Sequence, residues 1–277
     1  MGIIEADVGD LMDLTQKSRS DAKKYEWLYH CTTKDAFISM IRTHEMWLSN
    51  LKIVNDKEEA NRIDLKRLQN KFYIGSFTYD FRISDEHWDE YGTSENGILI
   101  GFKPEWFKIE PVFMLGDNTK DTHHPIYPEI TLAPQNSIAS VWSVRNSGFY
   151  KVVYDDDLMM KLQTEGWIDN CSEDVVKVIV PNVAGIVKKT HGLCERGGKK
   201  PYIKNWKDEK EVRLKIYVDR VCGDTAMDSG FFPKMAIPLN EKAFEEVRLK
   251  FSPKFSGKED FVQKVKDLLP NSTIEIL

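Results

Sequence analysis

The densest group of chemically capable side chains in this 277-residue sequence is Trp206-Lys207-Asp208-Glu209-Lys210-Glu211-Val212-Arg213. It runs into an alternating segment over 212–218, where Val212, Leu214, Ile216 and Val218 share one face of a strand. The same period of two projects Glu209, Glu211 and Arg213 together on the opposite face. Two carboxylates beside a guanidinium suit a site that stabilises a cationic sugar or orients ribose hydroxyls, and the arginine holds at least one glutamate ionised. The polar, solvent-facing side of an edge strand with an ordinary ion pair gives the same pattern.

A second group is Tyr29-His30-Cys31-Thr32 at the end of a short strand over 26–32. A neutral imidazole can donate to a ribose hydroxyl, and Thr32 shares its face; a core histidine satisfied by backbone is the other reading. Cys31 next to His30 does not make a thiol–imidazole pair, because adjacent strand residues point to opposite faces. Trp88 and Tyr91, three apart ahead of Gly97–Phe102, could stack on a flat ring or anchor packing. Asn55, Asp56 and Glu58 open a helix, where they fit as cap and dipole partners. The cysteines, Cys31, Cys171, Cys194 and Cys222, show no CxxC or other metal-ligand spacing, and the adjacent His123 and His124 stand in a proline-rich stretch. No metal is expected. Phosphate-cradling GxxxxGK[ST], a GxGxxG between strand and helix, GxSxG, HExxH and zinc-deaminase patterns are all missing.

The elements that must carry these residues are short strands with a few helices, an α+β sheet protein. Thr33 reads as the N-cap of a helix over 34–45, followed by an apolar run at 46–49 and a helix over 57–70. Strands are expected at 72–79, 97–102, 149–155, 212–218 and 246–252, helices at 156–164 and 257–269, and a last strand in Thr273-Ile274-Glu275-Ile276-Leu277. Residues 174–189 fit either state, and 192–200 reads as a flexible basic loop, with Arg196, Lys199 and Lys200 joined by Lys204 and Lys207 beside the site. A net charge of −5 argues against a general nucleic-acid binder but leaves room for that local basic patch. The first 20 residues lack a basic, apolar leader, and no window is long enough to span a bilayer. With scattered cysteines, these features point to a reducing cytoplasm and no membrane partner.

Taken in order, the motifs resemble domain-of-unknown-function family 2971. The run from Leu28 to Glu59 looks like that family's opening: a strand with a Tyr and a Ser/Thr, a helix, a Leu-Trp-Leu-Ser strand matched by Met46–Ser49, then Asn55, Asp56 and Glu59 or Glu58. Ser76-Phe77-Thr78, Trp88 with Tyr91, Gly97–Phe102, and Trp206 with Glu209, Glu211 and Arg213 follow in the family's sequence. The likeness covers about residues 27–277, with no matching motif in 103–195. That family resembles ADP-ribosyltransferases in layout. The resemblance implies an ADP-ribosyltransferase-like mixed sheet over 26–277, with 1–25 as an N-terminal extension. It implies NAD as substrate and Glu211 and Glu209 as the catalytic pair. His30, Thr32, Asn55, Ser76, Trp88, Tyr91 and Arg213 would bind NAD, with Tyr73 and Tyr79 competing with Tyr91 for the stacking role. The implied function is a bacterial toxin or phage-defence effector that moves ADP-ribose to a protein or nucleic-acid acceptor, with a cognate antitoxin or regulator as a further partner. NAD hydrolysis, nucleotide sensing and an interaction module stand as alternatives.

Overall fold

The computed structural model describes residues 5–54, 59, 71–92, 95–108, 112–113, 125–126, 130–133, 137–142, 147–163, 183–194, 201–217, 220–222 and 233–277. The strands are β1 (Leu28–Thr33), β2 (Glu45–Asn50), β3 (Phe72–Thr78), β4 (Gly97–Phe102), β5 (Val112–Phe113), β6 (Pro125–Ile126), β7 (Ile130–Ala133), β8 (Ser137–Trp142) and β9 (Gly148–Lys151). They continue as β10 (Val153–Tyr154), β11 (Val187–Lys188), β12 (His191–Cys194), β13 (Tyr202–Asn205), β14 (Glu211–Tyr217), β15 (Arg220–Cys222), β16 (Lys234–Pro238), β17 (Glu246–Phe251) and β18 (Thr273–Ile276). The longer helices are α1 (Glu5–Ala22), α2 (Lys34–Thr43), α3 (Asp156–Gln163) and α4 (Lys258–Leu268). The molecule is therefore mixed α+β: among the described residues, 14 strands join one large mixed sheet, flanked by a few helices. No described helix is long and apolar enough to cross a membrane.

Local chemistry sets the element ends. Thr33 caps α2 as expected, its hydroxyl accepting from the Ala36 amide at 3.3 Å, and Phe37, Ile38, Met40 and Ile41 bury the inner face. The helix stops at Thr43 because His44 takes up a left-handed conformation, φ 51°. Much of the N-terminal segment is the helix α1. Its helix buries Leu11, Thr15, Ser18 and Ala22, spaced one turn apart, and the Ser18 hydroxyl donates to the Lys151 carbonyl at 2.7 Å. The 149–155 strand divides into β9 and β10, and part of the loop expected over 192–200 is instead the β12–β13 hairpin. The 57–70 helix lies outside the described residues except at Glu59, as do Asn55, Asp56, Glu58 and the basic Arg196, Lys199 and Lys200.

The sheet divides where it matters for the site. One edge of β3 pairs along its whole length with β14, Glu211 opposite Thr78 through Tyr217 opposite Phe72. Its other edge is shared: β1 meets it at Thr78, and β2 meets it at Tyr73 and Ile74. Between those contacts β1 and β2 part company, and the fork opens at Gly75 and Ser76. On its far side β14 pairs with β9, so it is an interior strand with every residue buried. The solvent-facing edge strand allowed by the sequence is thereby overturned. A polar face inside a sheet must be satisfied by other protein groups.

Candidate active site

Ser76 is the exposed residue in an otherwise buried β3. Where β1 peels away, the Ser76 carbonyl loses a ladder partner and accepts instead from His30 Nδ1 at 2.9 Å. A carbonyl only accepts, so Nδ1 carries the proton and Nε2 is left as an acceptor. Burial holds the imidazole below its ordinary value, against the opposing pull of the Ser76 bond, so His30 is neutral near pH 7. The cavity in the fork has a volume of about 300 Å³ and is lined by His30, Thr32, Ser76, Tyr91, Glu209, Glu211 and Arg213. Residues nearly two hundred positions apart in sequence thus share one cleft.

Along the cleft runs a buried row of alternating charge. Glu59 pairs with Arg213, whose Nη2 donates to Glu59 Oε2 at 2.9 Å while Nη1 bonds Oε1 and the Gly185 carbonyl. Arg213 Nε donates to Glu211 Oε1 at 2.7 Å. Lys188 Nζ lies 3.4 Å from Glu211 Oε2 and 3.5 Å from Glu209 Oε2. Lys204 Nζ donates to Glu209 Oε1 at 2.8 Å and also to Glu90. The Tyr91 hydroxyl donates to the same Glu209 oxygen at 2.5 Å. Four carboxylates against three cations leave one net negative charge.

Burial alone would raise the Glu211 carboxyl. Arg213 and Lys188, with hydrogen bonds from Arg213 and the Ser76 hydroxyl, instead hold it at about 2. Glu209 is opposed by burial and by Glu211, yet Lys188 and Lys204 keep it below the usual carboxylate range. The Tyr91 phenol is pushed up by burial and by Glu209. Both carboxylates are ionised acceptors, and Tyr91 is a neutral donor.

Several sequence expectations change here. Glu209 is not on the strand. It ends a 3-10 turn over Trp206–Glu209, and Lys210 at φ 48° swings the chain into β14, so the two carboxylates converge by a turn rather than by alternation. Glu211 is 3% exposed, so the solvent-facing alternative does not hold for it. Trp88 is a packing anchor, 4% exposed in the main core, and does not line the cavity. Tyr91 lines the cavity, but His87 and Lys204 lie against its ring at 4.7 and 5.0 Å. Arg213 does pair with carboxylates, Glu59 and Glu211, while Asp56, Glu58 and Asn55 lie outside the described residues. Lys204 stands beside the site, as expected of the basic stretch.

Trp47, Glu59, Glu90 and Lys188 were missed as site residues. Trp47 and Glu59 stood inside the motifs that carried the resemblance, and Glu90 stood between the two aromatics then singled out. Lys188 gives no sequence signal: it belongs to a two-residue strand, parallel to β10, after an apolar run. Trp206 is fully buried and acts as a shelf, with Lys188 and Lys204 at 4.0 and 5.0 Å from its ring centre. Comparison with protein-family models, curated proteins and solved structures gave no match.

Proposed function

We propose that the chain is an NAD-dependent ADP-ribosyltransferase with an ADP-ribosyltransferase-like sheet. It would act as a toxin or phage-defence effector on a protein or nucleic-acid acceptor. The observation that carries this reading is the ionised Glu211, held beside the exposed Ser76 and the neutral His30 in one cleft. Breaking the bond between the nicotinamide nitrogen and ribose C1′ sends the bonding pair to nicotinamide and leaves oxocarbenium character on the ribose. A fixed carboxylate beside the ribose stabilises that charge. The net negative row suits the cationic nicotinamide–ribose end of NAD. His30 Nε2 can accept from a ribose hydroxyl, and Thr32 and Ser76 offer neutral hydroxyls beside it. Trp47, half-buried in the lining of the same cavity, takes the flat-ring role in place of Trp88. The acceptor's nucleophilic atom then adds to C1′, and its proton passes to water.

A second reading, nucleotide sensing without turnover, is favoured by one feature: every charge of Glu209 and Glu211 is already matched by Arg213, Lys188 or Lys204. Incubation with NAD labelled in its adenylate separates the readings. Free nicotinamide with labelled polymer is the expected result. Free nicotinamide alone would move the activity to NAD hydrolysis. Binding without release would establish the sensor, and absence of NAD binding with a captured partner would establish an interaction module.

A further inference from the structure

We infer that Lys188 is a positioning residue, the shared cation that allows Glu209 and Glu211 to face one cavity together. Two buried carboxylates on one cleft repel, and a pair so placed ordinarily keeps a proton between them. Each glutamate here has a cation of its own, Arg213 for Glu211 and Lys204 for Glu209. Lys188 is the group that touches both. Its backbone is fixed by β10, with the Asp155 amide donating to the Lys188 carbonyl at 3.0 Å, and its ammonium rests on the Trp206 ring. At 3% exposure it has little access to water. Burial would drive off its proton, but Glu211 and Glu209 retain it.

The other groups facing the pair are fixed as well. Glu211 meets Arg213, the Ser76 hydroxyl and the buried Tyr154 phenol, with Glu59 beyond Arg213. Glu209 meets Lys204 and the Tyr91 hydroxyl, with Glu90 beyond Lys204, and the neutral His30 lines the same cavity. Tyr154 and Tyr91 feel both carboxylates but are neutral, so among the described residues Lys188 is the cation within ion-pair distance of both.

The test compares wild type, Lys188→Met and Lys188→Arg by carboxyl ¹³C NMR of glutamate-labelled protein across pH 3–8, with near-ultraviolet circular dichroism as the folding control. Lys188→Met should show a new carboxyl transition displaced upward by about one to two pH units, and Lys188→Arg should remove it again. The acid limb of nicotinamide release should move by the same amount in the Met variant alone. An unchanged carboxyl titration in folded Lys188→Met overturns the inference. If that variant does not fold, Lys188→Gln, which keeps a donor but no charge, should show the same new transition, and its absence there also overturns the inference. The activity arm rests on the NAD reading, whereas the titration arm does not. The expected titration without nicotinamide release from wild type would therefore reject the NAD chemistry and leave the role of Lys188 standing.

Discussion

Replacing Glu211 by glutamine removes one charge from the interior row while nearly preserving size. The Glu211 carboxyl sits at about 2 against an ordinary 4.5, which corresponds to about 3 kcal/mol of folding stability at neutral pH. The folded value is the lower one, so this stability is fully present above pH 4.5 and is lost as pH falls toward 2. Breaking a buried pair commonly costs about 3–5 kcal/mol. The lower end applies here, because Arg213 keeps Glu59 and Lys188 keeps Glu209. Glu211→Gln should therefore unfold in urea about 3 kcal/mol more easily than wild type at pH 7, with the gap closing as pH falls toward 3. Tryptophan fluorescence at pH 7, 5 and 3.5 would follow it. In the same samples nicotinamide release should fall by about 10²–10³. A stability gap that stays constant across this range would refute the electrostatic account and assign the loss to packing. Wild-type release from a folded Glu211→Gln protein would refute the catalytic one.

Arg213→Met should cost about 3–5 kcal/mol, because it removes the guanidinium paired with both buried carboxylates, Glu59 and Glu211; a thermal melt showing a loss under about 1 kcal/mol would contradict it. Gly192→Ala would place a methyl group 2.5 Å from Trp206 Nε1. Displacing the shelf beneath Lys188 and Lys204 should cost about 1–3 kcal/mol and lower nicotinamide release, and wild-type values for both would remove the shelf's role. Burial of the His30 ring depresses its protonation, so its C2 proton resonance should titrate below the ordinary histidine value. A transition centred at the ordinary histidine value would show that the ring is open to water. Any stability His30 contributes through this shift is present above pH 6.5 and is lost on acidification.

Elements with a clear period were legible in the sequence. The alternation of Val212, Leu214 and Ile216, the Thr33 cap and the apolar face of α4 with Phe261 and Val265 all appear close to where the pattern puts them. Helix α1 was obscured because, apart from Leu11, its buried stripe is Thr15, Ser18 and Ala22, small or hydroxylated residues that read as surface. The polar face of β14 was ambiguous for a related reason. Charge looks the same in a sequence whether water or Arg213 and Lys188 satisfy it. The cleft's membership was recognised through His30, Thr32, Glu209, Glu211 and Arg213. Lys188 and Glu90 carry no such signal, since what makes them part of the site is a tertiary partner rather than spacing.

The fork in the sheet also fixes the order in which the site can come into being. On the ribosome β1 and β3 emerge early, but the edge of β3 that will carry β14 has no complement until Glu211–Tyr217 has been made. Until then His30 and Ser76 stand without Glu211 or Arg213, and Glu59 without its guanidinium. Such long-range pairing is slow to close, and an open edge invites misassembly. A nascent or truncated chain ending before residue 211 therefore carries neither Glu211 nor Arg213, and the row of charge along the cleft forms only once β14 has been added.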